Sequence, residues 1–295
     1  MSRVLVTGGS GFIGRHVVRA LLADGHGVVV ADRHEHPDAP TVVGELEDPD
    51  VRDRAVTADV GAVVHLAAET SVLGSVQLPA KVHAVNVGVT AALAELARER
   101  GVETFVLAST NAVVGDFDGT FTELVPLRPL TPYGATKAAA EMVLSGYAGA
   151  YGLRVPVLRL TNVYGPGMQA KDSFVPRMLK AAARDEGVQV YGDGRQRRDL
   201  VHVHDVARAF AMAVGGWPSG PTIIGSGTSV TVLDMLEAAR AVTGRAIPVE
   251  HVPAKDGEMP AVVVDTSRAR SLGWQPSMSL PEGMASAWDD ILVRR

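Results

Sequence analysis

The sequence predicts an α/β fold in which a doubly wound parallel sheet carries a smaller C-terminal lobe. Short apolar runs alternate with helical periodicity over residues 1–110, a glycine-rich turn joins the first run to the first helix, and the pattern becomes irregular after about Tyr164. Strand–helix alternation of this kind is typical of parallel sheets. With 295 residues, 46% of them hydrophobic, the chain is long enough for a large domain and an attached lobe.

The predicted strands are short, rich in valine and apolar on both faces, as buried parallel strands are. They are Val4–Val6, Val28–Ala31, Val63–Leu66 and Thr104–Ala108, followed later by Arg154–Leu160. Helical periodicity predicts helices over Phe12–Ala23, Ala80–Arg100 and Tyr133–Tyr151. We expect residues 1–164 to form the first domain and residues 165–295 mainly the lobe. Within the latter, His202–Val214 reads as a strand and helix that return to the first domain.

Composition excludes several classes of protein and site. The net charge of −5 does not indicate a nucleic-acid-binding surface. The chain has no cysteine, and its nine histidines lack metal-ligand spacing, so we expect neither disulfides nor a metal site. No apolar run approaches about 18 residues, and Arg3–Val6 reads as a strand rather than a leader sequence. We therefore expect no membrane association and a cytoplasmic location.

Gly8, Gly11 and Gly14 follow the first predicted strand and open the first predicted helix. The first glycine permits a tight turn, the second lets the backbone approach a pyrophosphate, and the third lets helix and strand pack closely. Unpaired N–H groups at the helix N-terminus then bind the pyrophosphate. The spacing predicts a dinucleotide site, although a purely structural glycine turn is the alternative for these three residues alone.

Asp32 ends the second predicted strand, 18 residues after Gly14. An acidic side chain at this place accepts hydrogen bonds from the adenosine ribose and repels a 2′-phosphate, which favours NAD over NADP. The neighbouring Arg33 softens that preference. An aspartate that merely caps a loop is the alternative interpretation.

Tyr133 and Lys137 stand four residues apart on a predicted helix, so their side chains share one face. Pro132 marks the helix entrance and places Tyr133 in the first turn. A free tyrosine has a pKa of about 10, and we expect the Lys137 cation and a bound nicotinamide cation to lower it. The pair indicates proton transfer coupled to nicotinamide chemistry, the alternative being an amphipathic helix that carries both residues by chance.

Taken in order, these motifs resemble those of the extended short-chain dehydrogenases/reductases of the NAD-dependent epimerase/dehydratase type. The resemblance covers nearly the whole chain and rests on Thr7–Gly14, Asp32, His65–Ala68, Asn86, Ser109–Gly115, Tyr133–Lys137, Arg159–Pro166 and Gly192–Asp205. It implies a Rossmann domain that binds NAD through Gly8, Gly11, Phe12, Ile13, Gly14, Asp32, Arg33, Leu66, Ala67, Ala68, Asn86, Tyr133 and Lys137. It also implies that Thr110 completes a catalytic group with Tyr133 and Lys137 by hydrogen-bonding the sugar hydroxyl that is oxidised. Ser109 is the second choice for that role.

The same resemblance implies a nucleoside-diphosphate sugar, most simply UDP-linked, as substrate. Besides Thr110, the implied substrate contacts are Asn162, Gln189, Tyr191, Arg198 and Lys255. Residues 188–194 resemble a hairpin that sandwiches the base, and the guanidinium of Arg198 suits a diphosphate. An arginine that only solvates a loop is the alternative for Arg198. Lys255 stands where the family usually has arginine, and lysine keeps the charge but loses the bidentate geometry.

Asn111 and Ala112 follow Thr110, where the family's 4,6-dehydratases carry an Asp-Glu pair. Their neutral side chains favour an NAD-dependent epimerase that interconverts nucleoside-diphosphate hexoses at C4 through a 4-keto intermediate. A nucleotide-sugar ketoreductase or dehydratase on the same Thr-Tyr-Lys site is the alternative, and a non-catalytic dinucleotide-binding regulator is a remoter one. The resemblance further implies a homodimer built on helices around residues 80–100 and 133–150.

Overall fold

The computed structural model of the protein describes residues 3–171, 173–253 and 262–293. In chain order the strands are β1 (Arg3–Thr7), β2 (Val28–Asp32), β3 (Thr41–Val43), β4 (Val60–His65), β5 (Thr104–Thr110), β6 (Thr120–Phe121), β7 (Pro156–Leu160), β8 (Asn162–Tyr164), β9 (Val188–Tyr191), β10 (Arg197–His202), β11 (Gly220–Ile224), β12 (Ser229–Thr231), β13 (Val249–Val252) and β14 (Val263–Val264). The α-helices are α1 (Phe12–Ala23), α2 (Pro49–Ala55), α3 (Val72–Gln77), α4 (Pro79–His83), α5 (Val89–Glu99), α6 (Pro132–Tyr151), α7 (Phe174–Arg184), α8 (Val203–Gly216), α9 (Val232–Thr243), α10 (Ser267–Ser271) and α11 (Leu280–Val293).

Seven strands form a parallel sheet in the order β11-β7-β5-β4-β1-β2-β3. This arrangement confirms the predicted doubly wound α/β fold. From β1 the chain winds outward through β2 and β3 on one side and through β4, β5 and β7 on the other. The switch in direction therefore lies between β1 and β4, and ligands of such sheets bind at the carboxyl ends of the strands beside that switch.

Helices cover both faces of this sheet because its strands are apolar on both sides. On one face α1 packs against α8, with Leu21 and Phe210 fully buried. On the other face α5 and α6 pack together, with Leu93 and Leu144 fully buried. Burial of side chains of this size contributes roughly 1.5–3 kcal/mol each.

The predicted elements of the first domain are confirmed with shifts at their ends. The first helix has the predicted bounds, and the last predicted strand begins at Pro156 rather than Arg154. The helix predicted over Ala80–Arg100 is interrupted, because a π-helical turn over Ala84–Gly88 separates α4 from α5. Single π turns inside helices are rare and often lie at functional sites.

Part of the chain after residue 165 contributes to the first domain. Strand β11 pairs with β7 at the edge of the large sheet, and α8 packs on α1. The remaining segments build a separate core in which α7, α9 and α11 meet, with Met178, Leu236 and Met284 buried. A three-stranded sheet, β12-β10-β8, contacts α8 through β8 and β10 and contacts α9 through β12.

The prediction of a hairpin over residues 188–194 is wrong. Strand β9 pairs in parallel with β13, a partner 61 residues further along the chain at Val188 and Val249. The turn after β9 instead leads to β10, which pairs with β8 and β12. Among the helices in the described ranges, none combines the length and apolarity needed to cross a bilayer.

Candidate active site

The glycine turn between β1 and α1 is shaped by close backbone approaches. Gly8 has a φ of 71°, and a Cβ on it would lie 2.7 Å from the backbone nitrogen of Ala67. A Cβ on Gly14 would overlap the carbonyl oxygen of Gly8. Gly11 caps α1 without any side-chain hydrogen bond, so the first N–H groups of this helix have no side-chain acceptor. The turn thus offers the amide-lined surface that a pyrophosphate needs.

A cavity of about 410 Å³ lies against this turn, along the carboxyl ends of the central strands. Twelve of the predicted cofactor residues line it: Gly8, Gly11, Phe12, Ile13, Gly14, Asp32, Arg33, Leu66, Ala67, Ala68, Tyr133 and Lys137. Its size, its glycine cradle and the carboxylate at one end fit a dinucleotide. Asn86 is absent from the lining and is only 1% exposed, so its contact with a cofactor stays a prediction.

Asp32 is held in place at the end of β2 by the backbone of two neighbouring loops. One carboxylate oxygen accepts a hydrogen bond from the Ser10 N–H at 3.0 Å, and the other accepts from the His34 N–H at 3.1 Å. An ionised carboxylate has about four acceptor positions, so two remain for hydroxyl groups of a ribose. The geometry agrees with the ribose contact predicted for Asp32.

The N-terminus of α6 fixes the position of Tyr133. Thr131 caps the helix, accepting from the Gly134 N–H at 3.2 Å, and Pro132 occupies the first helical position. The Tyr133 N–H, which has no partner inside the helix, donates to the Ser75 hydroxyl at 3.1 Å. Ser75 is fully buried on α3, so this bond ties α3 to the turn that carries Tyr133.

Thr110, Tyr133 and Lys137 come together at the carboxyl end of β5. The Thr110 side chain lies close enough to the Tyr133 phenol to lower the pKa of that phenol. The Lys137 ammonium is buried and donates to the Ala108 carbonyl at 3.0 Å. The hydroxyl of Ser109 instead donates to the Glu141 carboxylate, so its proton is already used, which favours Thr110 as the partner of the phenol.

We expected the Lys137 cation to lower the pKa of Tyr133. That expectation is wrong when only the groups of the protein act on the phenol. Burial raises the pKa of Tyr133 to about 12, and the nearby Thr110 hydroxyl opposes this rise only in part. Burial also lowers the pKa of Lys137 to about 8, against the opposing effect of the Glu141 carboxylate. Desolvation outweighs the attraction of a nearby cation here, since both groups lie in the interior.

A buried ion pair supports this site from behind. Glu141 lies one turn after Lys137 on α6, and its carboxylate accepts from Arg159 Nε at 3.1 and 3.2 Å and from Nη2 at 2.7 Å. The side chains of Glu141 and Arg159 are only 7% and 5% exposed. Because Glu141 also binds the Ser109 hydroxyl, the pair joins α6, β5 and β7 around Lys137.

A buried hydrogen-bond chain links the glycine turn to the π turn. The Ala67 N–H donates to the Thr7 hydroxyl at 3.3 Å, and the latter contacts His65 Nδ1 at 2.7 Å. His65 Nε2 contacts the Thr90 hydroxyl at 3.0 Å, and Thr90 donates to the Asn86 carbonyl at 2.7 Å. Since the Thr90 proton is used on Asn86, His65 carries its own proton on Nε2. Burial and the Lys137 charge lower the pKa of His65 to about 3, which keeps the imidazole neutral.

The side chain of Asn86 continues this chain to the catalytic helix. Its amide donates to the Glu69 carbonyl and to the Thr136 hydroxyl, and its oxygen accepts from the Glu69 N–H at 2.8 Å. The Thr136 hydroxyl in turn donates to the Tyr133 carbonyl at 2.9 Å. Asn86 therefore fixes the loop after β4 relative to Tyr133, a role that the sequence did not predict.

A second cavity, of about 180 Å³, gathers four of the predicted substrate residues: Asn162, Gln189, Tyr191 and Arg198. They arrive from β8, β9 and the start of β10. Lys255 lies outside the described residues, so its predicted contact stays a prediction. Thr110, the other predicted substrate residue, is placed beside Tyr133 as described above.

Several residues of the two cavities were missed by sequence reasoning. In the first cavity they include Leu46, Val85, Val89, Leu160 and Lys171. In the second they include Phe174, Arg177, Gln196 and Met235. Most are apolar residues of loops and helix starts, whose type carries no sign of a ligand. Within the described part of the chain, no group of three histidine, aspartate or glutamate side chains is arranged to hold a metal ion.

Comparison with known proteins identifies the same family that the sequence motifs resemble. The model of the NAD dependent epimerase/dehydratase family matches residues 4–222. The UDP-glucose 4-epimerase of Rhizobium leguminosarum bv. trifolii is 34% identical over 319 residues, covering 97% of this chain and 96% of its own.

Two solved structures are similar over almost their whole length. The UDP-glucose 4-epimerase of Thermotoga maritima, solved with UDP-glucose, superposes with a TM-score of 0.94 at 32% identity, covering 99% of each chain. The UDP-glucose 4-epimerase of Thermus thermophilus, solved with NAD, gives a TM-score of 0.92 at 34% identity, covering 98% of this chain and 99% of its own.

Proposed function

The chain belongs to the NAD-dependent epimerase/dehydratase family, and we propose that it interconverts nucleoside-diphosphate hexoses at C4, with UDP-glucose and UDP-galactose as the pair to test first. NAD is its cofactor, held by the glycine turn, Asp32 and the loop after β4. The observation that carries the proposal is the group of Thr110, Tyr133 and Lys137 beside the larger cavity, followed in sequence by the neutral Asn111 and Ala112.

Tyr133 acts as the base and acid of the reaction. Its phenolate removes the proton of the sugar C4 hydroxyl, and the resulting phenol later returns it, while Thr110 holds the sugar hydroxyl in place. Bound NAD supplies the chemistry that the side chains lack, namely accepting a hydride from C4 and returning it to the opposite face. The protein groups alone leave Tyr133 with a pKa of about 12, so its ionisation relies on the positive charge of the oxidised cofactor.

Lys137 has a supporting role in this proposal. Its ammonium is oriented by the Ala108 carbonyl and kept charged by Glu141, whose carboxylate raises the pKa of the lysine against the effect of burial. A cation at this place favours the phenolate and can donate to the ribose of the cofactor. Replacement of Lys137 by methionine therefore removes both effects while keeping the volume.

Incubation with UDP-glucose or UDP-galactose, without any added reductant, tests the function. We expect each sugar to yield a mixture of both, resolved by anion-exchange chromatography, and the Tyr133→Phe variant to form product at least about a hundredfold more slowly. Strict dependence on added NADH would replace the proposal by a ketoreductase. Release of water with formation of a 4-keto-6-deoxy sugar would replace it by a dehydratase.

The second copy of a homodimer is proposed to pack on α5 and α6. These helices pack against each other and leave apolar side chains open, Met142 being 60% and Tyr151 59% exposed. Light scattering after size-exclusion chromatography is expected to give twice the chain mass, and Met142→Glu to reduce it to the chain mass. A monomer in the unsubstituted protein would contradict this assembly. The cytoplasmic location stays a prediction.

A further inference from the structure

Arg177 is a charged residue of the second cavity whose hydrogen-bonding groups are not all paired within the described residues. It lies in the first part of α7, and its Nε is buried without a hydrogen-bond partner among the described residues. The guanidinium carbon lies 5.9 Å above the ring centroid of Phe174, which orients the side chain along the cavity wall. Buried N–H groups in native proteins nearly always have a partner, so the described residues leave part of the donor capacity of this guanidinium unused, and the side chain lines a cavity that a ligand can enter.

The charges around this cavity identify the kind of ligand. Arg177 and Arg198 both line it, while none of its described lining residues is an aspartate or a glutamate. The N-terminus of α7 also faces it through Ser173, Phe174 and Val175, and Ser173 makes no side-chain cap. A helix N-terminus carries partial positive charge, so the start of α7 adds to the positive charge of Arg177 at this wall of the cavity. An anion with several oxygens is the matching ligand.

We infer that Arg177 binds a phosphate oxygen of the nucleoside diphosphate, as a second guanidinium beside Arg198. The inference rests on the proposed function, which supplies the nucleotide sugar. The contact also supplies a second guanidinium that this chain lacks at position 255, where a lysine stands in place of the arginine usual in the family. Arg177 offers the planar, forked donor geometry that lysine lacks.

Calorimetric titration with UDP and with uridine tests this contact. The variants are Arg177→Met, which keeps the aliphatic stem, Arg177→Lys, which keeps the charge, and Arg184→Met as the control. Arg184 lies on the same helix, and its side chain is 65% exposed. Arg177→Met is expected to weaken UDP binding about tenfold or more, as loss of a charge-assisted hydrogen bond does. Arg177→Lys is expected to fall between Arg177→Met and the unsubstituted protein.

Uridine lacks the phosphates, so its affinity is expected to be the same in all four proteins. In steady-state assays Arg177→Met is expected to raise the KM for the nucleotide sugar while kcat and NAD affinity are retained. Equal UDP affinity in Arg177→Met and the unsubstituted protein overturns the inference, as does an equal loss for UDP and uridine. Failure of the unsubstituted protein to bind UDP at all refutes the proposed function instead.

Discussion

Replacing Glu141 by glutamine removes the negative member of the buried ion pair behind the catalytic helix and keeps its shape. Arg159 is then left charged, 5% exposed, and deprived of a carboxylate that it contacts through two of its nitrogens. Removing one partner of such a pair typically destabilises a protein by about 3–5 kcal/mol, because the other charge stays buried without compensation. We expect a loss of that size in the free energy of unfolding.

Urea unfolding at pH 7 measures this loss, with Glu237→Gln as the matched control. Glu237 also pairs with an arginine, Arg240, but its side chain is 69% exposed. Surface pairs contribute little, so the control is expected to unfold at nearly the same urea concentration as the unsubstituted protein. Equal midpoints for Glu141→Gln and Glu237→Gln would refute the reasoning.

The same substitution has an effect on catalysis that a purely structural pair would not produce. The Glu141 carboxylate raises the pKa of Lys137, so its loss lowers that pKa below about 8. The alkaline decline of kcat is therefore expected to move to lower pH in Glu141→Gln. An unchanged pH profile in a folded variant would show that Glu141 does not act on Lys137.

Three further predictions concern the site itself. Tyr133→Phe is expected to lower kcat by roughly 10²–10⁴, since it removes the acid–base group, while calorimetry shows retained NAD affinity; a variant with full turnover contradicts the role of the phenol. Asp32→Asn is expected to weaken NAD about tenfold and to raise the NADP-to-NAD affinity ratio, because the charge that repels a 2′-phosphate is gone; an unchanged ratio contradicts the ribose contact. Burial lowers the pKa of Lys137 from 10.5 to about 8, so the active protonated form is lost as pH rises. The kcat of the unsubstituted protein is therefore expected to fall above about pH 8. A plateau of kcat that extends to pH 10 contradicts this role of Lys137.

The sequence predicted the first domain well because its signals are local. Valine-rich strands such as β1 and β2 and the entrance of α6 at Pro132 follow from residue types and spacing. The π turn at Ala84–Gly88 was missed because apolar periodicity does not separate it from the helices on either side. The parallel pairing of β9 with β13 was missed because it joins distant segments.

Within the site, the sequence identified which residues come together, but it did not reveal how deeply they are buried or which groups they bond. Tyr133 and Lys137 were predicted from a four-residue spacing, yet the raised pKa of the phenol depends on burial, which spacing does not reveal. The cofactor contact of Asn86 stays a prediction, and the sequence did not reveal that its amide fixes a loop to the catalytic helix. Arg177 was overlooked, since a lone arginine in an amphipathic helix gives no sign that one of its N–H groups is buried without a partner in the part of the chain that the structure describes.

In the proposed reaction a hydrogen leaves C4 of the sugar as hydride and returns to the same carbon on its other face. Incubation of UDP-glucose that carries deuterium at C4, in ordinary water, tests this transfer. We expect UDP-galactose with deuterium retained at C4, as measured by mass spectrometry and proton NMR. Formation of UDP-galactose whose C4 hydrogen comes from water would contradict it.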